Sequence, residues 1–258
     1  MNFLITGSSS ILTQEIARMI LLNGHGVTLV GRSTTPSFNL ENPEEGLKQH
    51  LNNNEYLIHF AHSFKAQSKY DINEEAAERI IECCQGTGIK KIIYISSDSA
   101  SITSQSRYGQ SKFRTERVFL KSDKSLVLRL GIILDDSVPS PFKFVKKVVY
   151  ITRILAFPSP SIALFRITSV RQVTGVILRA CLEEISGGPY STAIDERLMT
   201  IKQVLVESGV KPKWIVPIPT KIFFPLVNLI GNLGLLRRKC DSLLSISTTP
   251  ETSPTIPG

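Results

Sequence analysis

The feature that most constrains the fold is a rhythm that runs from the first residue to about residue 131. Residues 2–6 read as a strand, and 12–23 as a helix with Ile16 and Ile20 on one face. VTLVG (27–31) reads as a second strand, FNL (38–40) as a short third, and a helix is expected around 44–52. YLIHFA (56–61) is a fourth strand, and 73–86 a helix with Ala76, Ala77, Ile80, Ile81 and Cys84 at apolar spacing. KIIYIS (91–96), a helix over 108–121 and SLVLRLG (125–131) complete six strands. Strands that are apolar nearly throughout are buried on both faces. Alternating with amphipathic helices, they predict a parallel, doubly wound α/β sheet.

Beyond residue 135 the rhythm breaks at Pro139, Pro141, Pro158 and Pro160, before a helix over 170–184 and a late apolar segment. The expected organisation is a main domain over 1–134, completed by about 166–186. A small C-terminal substrate lobe follows from 135–165 and 187–247. A disordered tail rich in Thr, Ser and Pro covers 248–258. A chain of 258 residues that is 42% hydrophobic can bury a core for both.

The net charge of +8 asks for an anionic partner: a nucleotide-like substrate, an acidic membrane surface or nucleic acid. No nucleic-acid module accompanies the scattered basic residues, so nucleic acid ranks lowest. Local clusters lie at Lys143, Lys146, Lys147 and at Arg237, Arg238, Lys239, where they could hold a diphosphate or form a solvated basic face. The four cysteines, Cys83, Cys84, Cys181 and Cys240, have no zinc-site spacing and fit reduced thiols in the cytoplasm. No metal is expected, and His59 and His62 read as packed or ligand-flanking residues. The N-terminus has no signal-peptide pattern. Ile222 to Leu236 is short of the about 20 apolar residues of a membrane span. It reads as a lobe helix, leaving peripheral membrane contact open, and Trp214 is expected in the lobe core.

The first strand runs into "LITGSSSILT" (4–13). A helix N-terminus there would offer free N–H groups and a positive dipole end to a pyrophosphate. Glycines in such a turn permit tight turning, close phosphate approach and close helix packing. Gly7 can serve the first role, whereas Ser10 and Thr13 stand at the other two places. Ser10 could clash with a phosphate or donate to it, and the branched Thr13 would push the helix from the sheet. After the second strand the chain has Gly31-Arg32-Ser33. A carboxylate there would favour NAD. Arginine with a hydroxyl suits the 2′-phosphate of NADP(H), with NAD(H) as the alternative and Arg32 then a solvated surface residue.

"YISSDSASITSQSRYGQSKFRTE" (94–116) carries the most chemistry. Tyr108 and Lys112 lie four apart on a predicted helix and share a face. A nearby ammonium favours phenolate over phenol, which an ordinary tyrosine near pKa 10 needs in order to act as a base. Ser97, at a strand end, could hydrogen-bond the substrate oxygen between them. The trio suits moving a proton on or off a carbinol oxygen while a nicotinamide moves the hydride.

In this order the segments resemble the short-chain dehydrogenase/reductase superfamily, in its extended or atypical branch of NAD(P)-dependent nucleotide-sugar epimerases and dehydratases. "FLITGSSSILT" is similar to its TGxxGxxG turn, "YLIHFAH" to its V-I-H-x-A-A strand and "IKKIIYISS" to its strand ending in Ser-Ser. "YGQSKFRTE" resembles its YxxSKxxxE helix and "LVLRLGIIL" the L-R-x-G strand after it. "ITSVRQVTGVILRAC" and "GGPYSTAIDERLMTIKQVL" resemble the late elements that link sheet and lobe, so the likeness spans roughly residues 2–205.

The resemblance implies a Rossmann-type sheet with Tyr108 as acid/base, Lys112 as ribose ligand and tuner of the tyrosine, and Ser97 as hydroxyl partner. The cofactor-lining residues it implies are Gly7, Ser9, Ser10, Ile11, Leu12, Arg32, Ser33, Phe60, Ala61, His62, Asn73, Tyr108 and Lys112. Asn73 reads equally as a simple helix N-cap. Asp98 is followed by Ser99 rather than by the acid of an Asp-Glu pair, which disfavours dehydration. The expectation is a cytoplasmic oxidoreductase of surface polysaccharide biosynthesis, a 4-keto reductase or C4 epimerase on a nucleotide sugar, with a homodimer allowed. The rivals are a catalytically inactive binding or assembly protein, motivated by Ser10 and Thr13, and a reductase for an apolar or lipid substrate.

Overall fold

The computed structural model describes residues 1–64, 71–135, 138, 141–158, 163–183, 185–192, 198–232 and 244. The first half alternates β1 (Asn2–Thr6), α1 (Ile11–Leu22), β2 (Gly26–Val30), α2 (Pro43–Leu47), β3 (Tyr56–His59) and α3 (Ile72–Cys83). It continues with β4 (Lys91–Ser97), α4 (Arg107–Phe119) and β5 (Ser125–Leu130). The second half runs through β6 (Ile132–Ile133), α5 (Pro141–Thr152), β7 (Ile154–Phe157), β8 (Leu164–Thr168), α6 (Val170–Leu182) and β9 (Gly187–Ser191). It ends with β10 (Leu198–Thr200), α7 (Ile201–Glu207), β11 (Trp214–Pro217) and α8 (Thr220–Asn232).

Six parallel strands form the main sheet in the order β2-β1-β3-β4-β5-β9. Successive side chains of a strand point to opposite faces, so each strand feeds two cores. On one face Phe3, Ile5, Ile58, Ile93 and Leu126 pack against α1 and α6 through Ile16, Ile20, Val173 and Ile177. On the other, Leu4, Leu57, Ile92, Tyr94 and Val127 meet α3 and α4 through Ala77, Ile80, Val118 and Phe119. This is a Rossmann-type doubly wound sheet. The chain leaves β1 toward β2 and returns on the opposite side to β3, so a crevice opens where β1 and β3 end, the place where such sheets bind ligands.

Two expectations are corrected here. FNL (38–40) is not a strand, because Phe38 plugs the core as a loop residue. It is buried, its N–H donates to the Gly31 carbonyl at 2.9 Å, and a Cβ at Gly46 would lie 2.6 Å from its Cα. β2 is therefore a half-exposed edge. Residues 187–191, expected in the lobe, are β9, the sheet's sixth strand. The chain also builds a helix the prolines hid, since α5 begins at Pro141, where a missing N–H costs nothing.

A separate core lies in the second half. β10, β8 and β6 form a three-stranded sheet and β11 pairs with β7 in parallel. Phe142, Val149, Leu155, Phe157, Phe165 and Phe223 are buried among them. Trp214 departs from expectation. It is 61% exposed, because β7 and β11 bury one face only and Trp214 pairs with the outward-facing Ile154. Among the described residues no helix is long and apolar enough to cross a membrane. Cys83, Cys84 and Cys181 are unbridged. The Arg237–Lys239 cluster, Cys240 and the tail from 248 lie outside the described residues.

Candidate active site

The turn after β1 is built on Gly7. Its φ of +90° suits glycine, and a Cβ there would sit 3.1 Å from the Ala61 nitrogen. The N–H groups of Gly7 and Ser8 both donate to the Val30 carbonyl, at 3.0 and 3.2 Å, so these two amides are spent on holding β2. Ser10 turns out to cap α1: its extended backbone and its hydroxyl, which accepts from the Thr13 N–H at 3.5 Å, place it at the N-cap. Ile11 and Leu12 then present first-turn N–H groups with no intrahelical partner, as every helix start does. Ser9, Ser10 and Ile11 are exposed beside them. Thr13 is fully buried and accommodated with Ile16, Ala17 and Ile20, but its hydroxyl has no partner.

Gly31 presses on this turn so closely that a Cβ would collide with Ser8. Arg32 and Ser33 follow it, both exposed. The Thr34 hydroxyl fixes their loop, accepting from the Gly31 N–H at 3.0 Å and lying 2.8 and 2.9 Å from the carbonyls of Gly31 and Pro36.

Phe60, Ala61 and His62 extend from β3 across the crevice. Ala61 N–H donates to the Thr6 hydroxyl at 3.3 Å, and that hydroxyl also meets His59 Nδ1 at 2.9 Å. His59 is a core residue among Phe38, Tyr94 and Phe119, and burial, with the Lys112 charge, lowers its pKa to about 3. Asn73 is not the helix cap. Asp71 caps α3, accepting from the Asn73 N–H at 3.0 Å. Asn73 is instead a buried clamp: its Oδ1 accepts from Ser63 N–H at 2.8 Å, and its Nδ2 lies 3.1 Å from the Ser63 carbonyl and 3.2 Å from Ser111 Oγ. Burial disfavours the Asp71 charge, yet hydrogen bonds from Ser111, Asn73 and Arg114 outweigh it and hold the carboxyl below its ordinary value. The loop after β3 is thereby tied to α4.

Helix α4 starts at the Ser106 cap, which accepts from Gly109 N–H at 2.8 Å. No side chain fits at Gly109, where a Cβ would strike Ser99 and Ser104. The helix thus begins hard against the loop that follows Ser97. Tyr108, half-buried, packs edge-on to His62 at 5.1 Å and stacks on Phe64 at 5.5 Å. One turn later Lys112 is 3% exposed. Its Nζ donates to the Ile95 carbonyl of β4 at 2.8 Å, lies 4.7 Å from the Tyr94 ring centre and 5.8 Å from that of Tyr108. Burial lowers the Lys112 pKa to about 7, with Glu116 pulling the other way. Burial, then the positive charge of Lys112, keeps His62 neutral, and its Nδ1 has no partner. Ser97 Oγ lies 3.0 Å from Ser99 Oγ and accepts from Ser99 N–H at 3.3 Å.

Several residues around these were not singled out in the sequence. Phe64 reaches Tyr108 by a tertiary contact with no sequence signal. Gly109, a glycine inside a helical pattern, did signal close packing, and Asp71 three before Glu74 is a capping pattern. Glu116 forms a buried two-pronged ion pair with Arg129 of β5 at 2.9 and 2.7 Å, fastening α4 to the sheet. Asp98, noted in the sequence only for the Ser99 that follows it, is buried 3.5 Å from Arg166 of β8; burial raises its pKa to about 6, against the pull of Arg166.

No family model matches the chain, and no curated protein matches it. Solved structures do. UDP-N-acetylglucosamine 4-epimerase from Bacillus cereus superposes with a TM-score of 0.64 at 17% identity, over 86% of this chain and 87% of that one. A dTDP-4-dehydrorhamnose reductase from Clostridium acetobutylicum gives 0.66 at 17% identity, over 86% and 85%. A short-chain dehydrogenase/reductase superfamily protein from Agrobacterium tumefaciens, with bound NAD, gives 0.63 at 16% identity, over 84% and 85%. This chain shares the fold of these structures, a Rossmann-type doubly wound α/β sheet. Within that fold Gly7 abuts Ala61 and His62 packs on Tyr108, one turn before Lys112, while Arg32 and Ser33 follow Gly31, which presses on the turn at Ser8.

Proposed function

We propose that the chain is an NADP(H)-dependent reductase acting at a keto group of a nucleotide-linked sugar. The observation that carries this reading is the position of Lys112: its amine is buried beside the Tyr108 ring and bonded to β4 two residues before Ser97. The activities named for two structural neighbours, a UDP-sugar epimerase and a dTDP-sugar reductase, support the substrate class.

The residues present fit a nicotinamide dinucleotide. The side-chain-free approach at Gly7 and the first-turn amides of Ile11 and Leu12 suit a diphosphate, with Ser9 and Ser10 beside them. Arg32 and Ser33 suit a 2′-phosphate, and Phe60, Ala61, His62 and the clamp of Asn73 form the opposite wall. A bound nicotinamide would supply or accept the hydride. Tyr108 then donates its phenolic proton to the carbonyl oxygen as that oxygen gains negative charge, and Ser97 orients the same oxygen by hydrogen bond. Lys112 steadies the phenolate left on Tyr108. His62 and Phe64 flank the ring. Dehydration is disfavoured because Ser99 stands where a second acid would be needed.

A C4 epimerase would use the same residues and retain its cofactor. The lobe, from residue 135 onward apart from α6 and β9, would take the sugar nucleotide, in a cytoplasmic enzyme of surface polysaccharide synthesis. The test is a titration of the purified protein with NADPH and NADH, followed by nicotinamide fluorescence, and then assay on nucleotide 4-keto sugars. NADPH-selective binding with turnover supports the reductase. NAD retained through purification moves the assignment to the epimerase. No binding of either at millimolar concentration overturns the enzymatic reading and leaves a binding or assembly protein.

A further inference from the structure

Away from the crevice, the second half of the chain carries a surface that the proposed chemistry does not use. β7 and β11 pair in parallel with Ile154 opposite Trp214 and Ala156 opposite Val216. Leu155 and Phe157 point into the core, so Ile154, Ala156, Trp214 and Val216 face outward, all exposed. Apolar side chains are also exposed on the helices nearest in sequence: Ile151 at the end of α5 is 67% exposed, and Ile222 and Leu226, four apart on α8, are 58% and 48% exposed.

The two strands are fastened at both ends. The Arg153 carbonyl, at the turn from α5 to β7, accepts from the N–H groups of Lys213 and Trp214 at 2.8 and 3.1 Å. At the other end Phe157 O accepts from Ile218 N–H at 3.3 Å, and the rings of Phe157 and Phe223 pack at 5.6 Å.

The charges next to this face in sequence have one sign. The sequence has no Asp or Glu over residues 137–182 or 208–240. Lys147, Arg153, Lys211, Lys213 and Lys221 are all exposed, with Lys213 Nζ 5.9 Å from the Trp214 ring centre. Exposed aliphatic groups around a tryptophan, set in lysine and arginine that make no ion pair among the described residues, match an interface of hydrocarbon beneath anionic headgroups. A second copy of this chain would bring the same cations face to face, which disfavours self-association through it. We propose that this face docks the protein on an anionic lipid bilayer, with Trp214 at headgroup depth and the lysines against lipid phosphates. This association is peripheral and independent of the reaction assigned to the crevice.

Trp214 is the chain's single tryptophan, so its fluorescence reports on this face alone. The full-length protein would be mixed with phosphatidylcholine vesicles, with and without phosphatidylglycerol, at low and high salt, and both co-sedimentation and tryptophan emission followed. The expected result is binding only to phosphatidylglycerol-containing vesicles, weakened by salt, with emission shifted to shorter wavelength. The variant K211E/K213E/K221E, altered only at exposed positions, is expected to bind about tenfold more weakly or worse. Ile154→Ser, on the outward face opposite Trp214, gives a second, uncharged test and should also weaken binding. No binding overturns the proposal, as does binding that leaves Trp214 emission unmoved, since another surface then makes the contact. An emission shift that grows with protein concentration in the absence of vesicles also overturns it, assigning the face to a second copy.

Discussion

Lys112 holds a buried amine whose pKa stands near 7 against an ordinary 10.5. Between these values the unfolded chain binds a proton that the folded chain has released, so stability rises with pH across that window. Below pH 7 the buried ammonium imposes its full cost, which is relieved as pH climbs toward 10.5. Lys112→Met should therefore gain stability at pH 7, on the order of a few kcal/mol, and keep less of that gain at pH 10. The measurement is urea unfolding of both proteins at the two pH values. Taking the difference removes the shared influence of Cys84 and Cys181, whose thiols burial raises to about 12. A difference that ignores pH would mean that the amine stays fully charged when folded. The price of holding Lys112 there makes sense only if its charge is used, so the same variant should lose turnover.

At the scale of elements, α1 and α4 decide what the crevice can do. Thr13 is buried in the packed face of α1 with its hydroxyl unpaired, a state that typically costs 1–3 kcal/mol. Thr13→Val keeps the shape and removes the hydroxyl, so thermal unfolding should show about 1 kcal/mol of added stability with cofactor affinity unchanged. Destabilisation instead would reveal a partner for the hydroxyl. α4 is fastened to β5 by Glu116 and Arg129, both almost wholly buried. Glu116→Ala removes the two-pronged partner of a buried guanidinium and should destabilise by up to about 3–5 kcal/mol in denaturant unfolding; a loss under about 1 kcal/mol would mean that the other contacts of Arg129 suffice to hold it. Helix spacing explains why the Tyr108–Lys112 pair was legible in sequence: residues four apart share a face wherever the helix lies. The role of Asn73 was not legible, because Ser63 and Ser111 reach it only in the fold. The third strand was misread for a related reason, since an apolar triplet cannot distinguish a strand from Phe38 plugging a core. Pro141 concealed α5 because a proline that opens a helix looks like one that interrupts it.

Over the whole molecule, the cores on the two faces of the main sheet and the separate core of the second half share the work, and the links between sheet and second half pass close to the candidate site. Gly131 lies so near Arg166 that a Cβ would strike its backbone, and Arg166 faces Asp98, the residue after Ser97. The parallel, doubly wound sheet was legible from the alternation of apolar strands and helices, whereas its strand order was not. The exposure of Trp214 was not, because an outward-facing strand of a two-stranded sheet is as apolar as a buried one. Global stability is also where the cofactor preference can be read. A ligand that binds only the folded state stabilises it by about 2.7 kcal/mol at a hundred times its dissociation constant. If Arg32 meets a 2′-phosphate, NADPH should raise the melting temperature more than NADH at equal concentration. Arg32→Ala should erase most of that difference while leaving the NADH increment intact, because Arg32 is exposed and supports nothing in the core. The measurement is thermal unfolding of parent and variant with each nucleotide. Equal shifts from both nucleotides in the parent would remove Arg32 from the site and with it the case for NADP(H). A variant that lost both increments would instead show that the loop held by Thr34 shapes the turn at Ser8, so that the arginine acts through the backbone and not through its charge.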